Sequence, residues 1–397
     1  MSDLLQSAIS LQSEICNDLQ SELAIVNEDK ATRYHRLKRR AKVASLAWSL
    51  MLLAGLLATG SSAMLRTASE SAASFGPRPF GAALTVIAYV IGLSLINEIG
   101  SLPIALYSGF ILEHRYGLST EPIRAWLKDR TKSFAVALLL GTGAASLVYF
   151  LIRRSPAGWW LPAGVVFALL IVGLANLAPV ALLPLFYRMK PIDRESLRAR
   201  LLALAERAGA RVLDAYEWGL SGKTKKANAA LTGLGATRRI LVSDTMLAEY
   251  SDEEIEIVLA HELAHHVHGD IWKGLAFESA LLLAGFHVAA RALAWSVDLL
   301  ELHGPADVAA LPLLVLAAGA VSLVMVPIAH AMSRAYERRA DRFALELTNN
   351  PSAFVSAMRR LSAQNLAEEH PSKAIQWLFY SHPPICERIA AAQAFKA

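Results

Sequence analysis

The residues most able to do chemistry stand together in the stretch VLAHELAHHVHGDIW, residues 258–272. Within it, His261, Glu262 and His265 form the pattern HExxH. Residues four apart on a helix share one face, with about 6 Å of axial rise between them, so both imidazoles are able to bind one zinc ion. Glu262 lies beside them, where a carboxylate can take a proton from a metal-activated water. The pattern therefore predicts a hydrolytic zinc site.

Two further histidines in this stretch, His266 and His268, do not fit that site. His266 points to a different face of the helix. His268 shares the face of His261 but lies about 10 Å along the axis from it, too far to bind the same ion in tetrahedral geometry. We interpret both as polar-surface or cleft residues.

A catalytic zinc ion needs a third protein ligand and one open position. The candidate lies in SRAYERRAD, residues 333–341, where Glu337 and Asp341 are four residues apart on a helix that leaves the last apolar segment. Glu337 can complete a His2Glu site, and Asp341 can accept a hydrogen bond from the far nitrogen of a ligating histidine. Alone, such a charged run is more often a solvated helix face. The presence of HExxH and the absence of a cysteine cluster favour the ligand interpretation.

A third stretch, SHPPICERI at residues 381–389, contains His382 and Arg388. The prolines hold His382 in extended backbone, and Arg388 lies on the short helix predicted to follow. A histidine and an arginine beside the metal would stabilise the oxyanion of a tetrahedral intermediate. A turn followed by surface charge explains the same residues, and their chemistry alone leaves both interpretations open.

Local signals place these motifs on a small mixed domain. Ser251 and Glu254 form a capping-box pattern that starts the HExxH helix. Asp193 is predicted to cap an earlier helix that ends at Gly209. The predicted strands are Arg211–Trp218 and Arg239–Val242.

The rest of the chain is too apolar for an ordinary soluble protein, because 54% of its 397 residues are hydrophobic and only 18% are charged. The apolar residues form blocks long enough to cross a hydrocarbon core about 30 Å thick. The fifth block is the weakest, since it contains Glu278, His287 and Arg291; a buried helix of a soluble domain is the alternative. The six predicted spans are Val43–Leu65, Phe80–Leu112, Phe134–Ile152, Trp159–Tyr187, Gly274–Leu300 and Val308–Ser333.

Lysine and arginine predict the orientation of these spans. They are concentrated at residues 33–42 and 115–132, whereas the loop between the fifth and sixth spans has none. The positive-inside rule therefore predicts that both termini and the segment 188–270 are cytoplasmic. The net charge of +5 reflects this topology, and no aromatic-interleaved basic stripe indicates nucleic-acid binding. Cys16 and Cys386 are far apart in sequence, which argues against a disulfide framework or a thiolate metal site.

With these motifs in order, the sequence resembles the Ste24 type of integral-membrane zinc metallopeptidase, the CAAX prenyl protease class of peptidase family M48. The resemblance runs from about residue 80 to the C-terminus. Besides the three motifs above, it rests on SLPIALYSGFILEHRYGLS at residues 101–119 and PLFYRMKPI at residues 184–192. The site residues that it implies are the zinc ligands His261, His265 and Glu337, the general base Glu262, the outer partner Asp341, and the polarising groups His382 and Arg388.

The resemblance also gives the stretch ANAAL, residues 227–231, a role. It is similar to a strand edge whose Asn-Ala pair, here Asn228 and Ala229, binds the extended backbone of a substrate by β-augmentation. Without the resemblance, Asn228 would be interpreted as a turn residue. The sequence departs from the family at Ala264, which replaces a glycine, and at Asp270, where eukaryotic members often have a histidine.

The predicted fold is mainly α: a polytopic membrane protein whose six spans enclose a chamber, with a small α+β zincin-like catalytic domain. The chamber is implied by the resemblance. Asn97 and Glu98 inside the second span fit a water-filled interior, and a hydrogen bond between helices is the alternative. The predicted divisions are a cytoplasmic segment at 1–42, four spans in 43–187, the HExxH-containing catalytic part at 188–270, two spans in 271–333, and the remaining catalytic part at 334–397.

The predicted activity is that of a zinc metalloendopeptidase, with one zinc ion per chain, acting on a peptide or protein substrate beside the lipid bilayer. A prenylated or membrane-associated substrate fits the resemblance. Two alternatives are an HtpX-like quality-control protease and a proteolytically inactive membrane scaffold or transporter. The segment 101–130 argues against the first, and the presence of both Glu262 and Glu337 argues against the second. A site-2 type of intramembrane protease is excluded because the charged stretch DEEIEIV precedes HExxH.

The orientation can be tested by labelling. In a background with Cys16→Ser and Cys386→Ser, a cysteine at Gly304 is expected to react with a membrane-impermeant maleimide in intact cells, because the loop between the last two spans is predicted to face outward. A reporter fused after Ala397 is expected to behave as cytoplasmic. Protection of the Gly304 cysteine until the cells are lysed would show that the last two spans are inverted.

Overall fold

The computed structural model describes residues 2–177, 181–233 and 238–396, with side chains described from Lys30 onward. The first half consists of helices. A five-residue π-helical stretch, Tyr107–Ile111, joins the third helix to the fourth. These helices are α1 (Ser2–Ala58), α2 (Ser61–Ala73), α3 (Gly81–Leu106), α4 (Leu112–Arg115), α5 (Ile123–Arg154) and α6 (Trp160–Leu177).

Six segments of the described chain are long and apolar enough to cross a membrane, as predicted. The fifth lies on a helix that leaves Trp295 85% exposed, which suits lipid better than a soluble core. The predicted fourth span includes residues 178–180, which lie outside the described residues. The six segments are Lys30–Ala58, Arg78–Arg115, Ile123–Arg154, Trp160–Leu177, Asp270–Ser296 and Val308–Thr348.

The predicted end of the first span, at Leu65, is wrong. Helix α1 ends at Ala58, and Gly60 takes a left-handed conformation with φ 70° before α2 begins at Ser61. Glycine adopts positive φ without a steric penalty, so the chain can turn here. Hydropathy alone did not separate the two helices, because α2 continues the uncharged stretch as far as Leu65.

A small mixed unit, residues 189–267 and 334–396, follows the first four spans and surrounds the last two in sequence. Its sheet has the order β1-β2-β4-β3, in which β2 and β4 are parallel and the two outer pairs are antiparallel. Both predicted strands are confirmed: β2 begins three residues later than predicted, and β4 extends one residue further, to Ser243. The elements up to the HExxH helix are α7 (Leu183–Phe186), β1 (Met189–Pro191), α8 (Glu195–Arg207), β2 (Asp214–Trp218), β3 (Ala229–Thr232), β4 (Arg239–Ser243), α9 (Asp244–Glu249) and α10 (Asp252–Val267).

Helix α8 packs its predicted apolar positions, Leu197, Leu201 and Leu204, into the core of this unit. The prediction that Asp193 caps the helix is wrong. The N-cap residue is Arg194, which makes no side-chain capping bond, and Asp193 instead accepts a hydrogen bond of 2.7 Å from Lys190. The carboxylate of Asp193 thus pairs with Lys190 on the exposed surface.

Two long helices connect the membrane part to the mixed unit. They are α11 (Asp270–Ser296), which follows α10 after Gly269, and α12 (Leu311–Thr348). Helix α12 has 38 residues, about 57 Å at 1.5 Å per residue, which exceeds a hydrocarbon core of about 30 Å. Its C-terminal part therefore extends into the mixed unit. It is followed there by α13 (Pro351–Asn365) and packs against α14 (Lys373–Phe379) and α15 (Ile385–Gln393).

A cavity of ≈ 750 Å³ lies between α1, α3, α5 and the C-terminal end of α14. Its lining includes serines and basic side chains, among them Arg130. Glu98 binds Arg130 through both carboxylate oxygens, at 2.6 and 2.9 Å, and Asn97 accepts a hydrogen bond from Ser49 at 3.5 Å. The bonds of Glu98 and Asn97 therefore link neighbouring helices. Because Arg130 lines the cavity, its ion pair with Glu98 also borders the cavity.

The contact between α1 and α3 can be tested at Gly100. A Cβ atom on this residue would overlap the indole of Trp48, and overpacking of this kind costs about 1–3 kcal/mol. Gly100→Ala is therefore expected to lower the thermal unfolding midpoint in detergent. The control is Gly173→Ala on α6, where an added Cβ meets nothing within 4 Å. Identical midpoints for the two variants would contradict the close approach of α1 to α3.

Candidate metal centre and active site

The HExxH motif lies in α10, whose start is fixed by the predicted capping box. Ser251 Oγ accepts a hydrogen bond from the Glu254 N–H at 3.2 Å, and Glu254 Oε2 accepts one from the Ser251 N–H at 2.8 Å. Leu259, on another side of the helix, is buried in the core of the mixed unit. The rings of His261 and His265 lie together, with their centroids 5.0 Å apart.

Helix α12 places Glu337 against both rings. Glu337 Oε2 is 3.2 Å from His261 Nε2, and Glu337 Oε1 is 3.4 Å from His265 Nε2. One ligand atom from each of the three residues lies within 4.8 Å of the others, and no second group of this kind occurs among the described residues. The structure thus brings together the three residues that the sequence predicts as ligands.

The nitrogen of each ring that faces away from Glu337 contacts a carboxylate. His261 Nδ1 is 2.9 Å from Asp341 Oδ1, and His265 Nδ1 is 3.1 Å from Asp270 Oδ2. A carboxylate accepts a hydrogen bond and so favours the tautomer with the proton on Nδ1. Both Nε2 atoms then face Glu337, where they could bind a cation together with its carboxylate.

Asp270 is the partner that the sequence analysis missed. In the sequence it marks only a departure from a family pattern, although it stands five residues after His265, just past the end of α10 at Val267. Gly269 has φ 66° and allows the chain to reverse, which brings Asp270 back to the ring. Arg339 and Lys273 contact the other oxygen of Asp270 and help hold it.

Arg388 binds Asp341, and its guanidinium does not lie beside the Nε2 atoms of the two histidines, where the metal is predicted. Its Nε donates to Asp341 Oδ2 at 2.8 Å and its Nη2 to Asp341 Oδ1 at 2.5 Å. The same Nη2 lies 3.3 Å from His261 Nδ1, but that nitrogen donates its proton to the nearer Asp341. Burial opposes the charge of the guanidinium, and Asp341 outweighs it and raises the pKa of Arg388.

His382 reaches the centre from the segment before α15. Its Nε2 is 3.3 Å from Glu337 Oε1, and its side chain is 61% exposed. Ser381 Oγ lies 2.9 Å from the other ring nitrogen, Nδ1. His382 is therefore on the open side of the metal centre, where a substrate could reach it.

The protonation of the helix residues follows from burial and charge. Burial lowers the pKa of His261, but its contacts with Asp341 and Glu337 outweigh this and raise the pKa to about 9. Burial raises the pKa of Glu262 above its ordinary value. Without a cation, His261 would carry a second ring proton, and its positive charge would balance the surrounding carboxylates. A bound metal ion would supply that positive charge instead.

His266 and His268 are not members of the ligand group. The His268 ring packs edge-on against Phe343, with centroids 5.5 Å apart. Burial, and then the charge of Arg238, lower the pKa of His266.

Strand β3 contains Ala229 and follows Asn228 directly. The Asn228 N–H donates to Ser243 Oγ, and its carbonyl accepts from the Ser243 N–H at 2.9 Å, so this peptide faces β4. Hydrogen-bonded pairs alternate along an antiparallel ladder. The outward peptide groups of this edge therefore belong to Ala229 and Leu231, and Asn228 offers only its exposed side chain.

The donor set fits a metal ion. Glu337 Oε2 is buried and accepts no hydrogen bond of normal geometry, so its lone pair is free. One ligand atom from each of His261, His265 and Glu337 lies within 4.8 Å of the others, which is close enough for all three to reach one ion through bonds of about 2.0 Å after small side-chain adjustments. Two imidazoles and one carboxylate form a set that leaves a fourth position open.

Two family models together match nearly the whole chain. Residues 191–396 match peptidase family M48, and residues 7–188 match the CAAX prenyl protease N-terminal family, described as having five membrane helices. The chain belongs to peptidase family M48. It is therefore a membrane metalloprotease, as predicted.

Individual relatives agree with this assignment. The chain is 32% identical over 377 residues to YhfN of Bacillus subtilis, an uncharacterised metalloprotease, covering 94% of this chain and 86% of that protein. It is 27% identical over 323 residues to a CAAX prenyl protease 1 homologue of Oryza sativa, covering 78% and 73%. The crystal structure of S. mikatae Ste24p superposes with a TM-score of 0.80 at 21% identity, covering 92% of this chain and 88% of that one. The predicted fold class, a polytopic helical protein with a chamber and a small catalytic domain, is confirmed.

The ligand set can be tested by metal analysis of purified variants. His261→Ala, His265→Ala and Glu337→Ala are each expected to lose the bound metal, whereas His268→Ala should keep about one ion per chain. Asp270→Ala should keep the ligands but weaken metal affinity about 10–100-fold, as is usual when an outer partner of a ligating histidine is removed. Metal retained by Glu337→Ala and lost from His268→Ala would overturn the assignment.

Proposed function

We propose that this chain is a zinc metalloendopeptidase whose ligands are His261, His265 and Glu337. The observation that supports it most directly is the direction of the two rings: each Nδ1 lies against a carboxylate, and each Nε2 points toward Glu337. The set of two nitrogens and one carboxylate oxygen is typical of catalytic zinc sites in peptidases. Bound there, zinc would supply Lewis acidity and lower the pKa of water.

In this proposal, Glu262 is the general base. Its burial raises its pKa, so its carboxylate holds a proton more readily than an exposed glutamate does. It would take the proton from the attacking water and deliver it to the leaving amine. His382, on the open side of the centre, would donate a hydrogen bond to the oxygen of the tetrahedral intermediate.

Asp341, Asp270 and Arg388 would act through the histidines. The two carboxylates hold the ring tautomers, and Arg388 fixes Asp341 through its paired hydrogen bonds. We therefore assign Arg388 a positioning role in place of the oxyanion-stabilising role that the sequence suggested. Its guanidinium already makes two hydrogen bonds to Asp341. It is therefore less able to stabilise the negative charge that develops on the oxygen of the intermediate.

The proposed substrate is an extended peptide that adds to the β3 edge at Ala229 and Leu231, with Asn228 contributing its side chain. Main-chain pairing of this kind gives affinity with little side-chain selectivity. The names of the relatives support a prenylated CAAX peptide as the physiological substrate, and the distribution of basic residues supports a cytoplasmic active site. An HtpX-like quality-control role is the second candidate, since the edge would accept any extended backbone.

Glu262→Gln tests the catalytic proposal. The substitution keeps the shape of the side chain but removes its basicity, and Glu262 is not a proposed ligand. Metal content and thermal stability are therefore expected to persist while peptide cleavage falls about 10²–10⁴-fold, the usual contribution of a general base. Wild-type cleavage by a variant that still holds its metal would refute the assignment of this base.

A comparison of substrates separates the two candidates. Detergent-purified protein is incubated with a farnesylated CAAX peptide, the same peptide without the lipid, and an unfolded soluble protein. The CAAX proposal expects faster cleavage of the farnesylated peptide. Equal rates for both peptides, together with degradation of the unfolded protein, would favour the quality-control role.

A further inference from the structure

The open edge of β3 ends abruptly at its N-terminal side. Counting back along the ladder, the peptide groups of Ala227 point outward, like those of Ala229 and Leu231. They are already occupied by a side-chain amide: the Ala227 N–H donates to Asn365 Oδ1 at 3.0 Å, and Asn365 Nδ2 donates to the Ala227 carbonyl at 3.1 Å. One asparagine thus makes the two hydrogen bonds that the backbone of an incoming peptide would otherwise make.

The position of Asn365 is fixed from several sides. It is the last residue of α13, and the next residue, Leu366, has φ 52°, a left-handed conformation that is unfavourable without glycine. Leu366 is held there because its side chain is buried among residues of α1 and α4, and His35 Nε2 lies 2.9 Å from its carbonyl oxygen. Asn365 is therefore anchored by the membrane helices.

The direction of the strand decides which part of a substrate meets Asn365. Antiparallel pairing is the more stable arrangement for an added strand. A peptide that pairs antiparallel to β3 has its C-terminal part at the Ala227 end and its N-terminal part at the Thr232 end. Wherever the scissile bond lies along this edge, the C-terminal side of the peptide reaches Asn365.

We propose that Asn365 is a positioning residue that closes the substrate-binding edge at Ala227 and so favours peptides with a short C-terminal side. This inference rests on the proposed peptidase function and adds a residue that sets substrate length. A longer C-terminal side would either leave the edge at this point or displace the Asn365 amide from Ala227. Each added paired residue advances about 3.4 Å along β3, so only a few residues fit before the stop.

The test is a series of peptides that share one N-terminal half and carry 2 to 10 residues after the scissile bond. For the wild type, kcat/KM is expected to fall as this tail lengthens. In Asn365→Ala the two hydrogen bonds to Ala227 are lost and the edge becomes longer. The ratio of kcat/KM for the longest tail to that for the shortest is then expected to rise about 10-fold, the effect of one to two hydrogen bonds.

Two further variants make the result specific. Asn365→Asp keeps an acceptor for the Ala227 N–H but loses the donor to its carbonyl, so its length ratio should lie between those of the wild type and Asn365→Ala; it also carries the test if the alanine variant does not fold. Gln364→Ala removes a neighbouring bond to the Lys225 carbonyl, beyond the stop, and should keep the wild-type ratio.

The outcomes separate this inference from the proposed function. Equal losses at every tail length in Asn365→Ala would show a purely structural role and overturn the inference. A wild-type enzyme that cleaves all tail lengths equally would also overturn it, while leaving the peptidase proposal intact. A metal-loaded wild type that cleaves no peptide in the series would overturn both.

Discussion

Two histidine rings can share one cation only if each keeps its proton on the nitrogen that faces away from the ion. In this chain that condition is met twice, because Asp341 accepts from His261 and Asp270 from His265. The two carboxylates are held in turn by Arg388 and by Arg339. The histidine rings are thus surrounded by negative carboxylates, and the carboxylates by positive arginines. Each group orients the group that lies nearer the centre.

This arrangement requires elements far apart in sequence to meet. The two rings come from α10, the third proposed ligand from α12, and Arg388 from α15. The ion pairs of Lys223 with Asp129 and of Lys226 with Glu113 tie the mixed unit to the membrane helices. The geometry of the centre therefore depends on the packing of the whole chain, since no single element supplies more than part of it.

Much of the geometry of the site could be predicted, because its proposed ligands follow helical spacing. HExxH placed two rings on one face, and the Glu337–Asp341 spacing placed a ligand and its outer neighbour one turn apart. A local sequence pattern does not predict the direction that the chain takes after a turn. Asp270 returns to His265 only because Gly269 reverses the chain, and the α1 boundary at Gly60 depends on the same property of glycine. The bonds of Asn365 to Ala227 join residues that are far apart in sequence, and no local pattern predicts which backbone an amide will meet.

The path of the chain between the ligands has a consequence for biogenesis. His265 and Glu337 are separated by α11 and the first part of α12, which are both candidate spans. In the folded chain the two parts of the centre meet where this helical hairpin returns to the mixed unit. A nascent chain in which Glu337 has not yet been synthesised holds only the two histidines of the proposed metal site, so the site is completed late in translation.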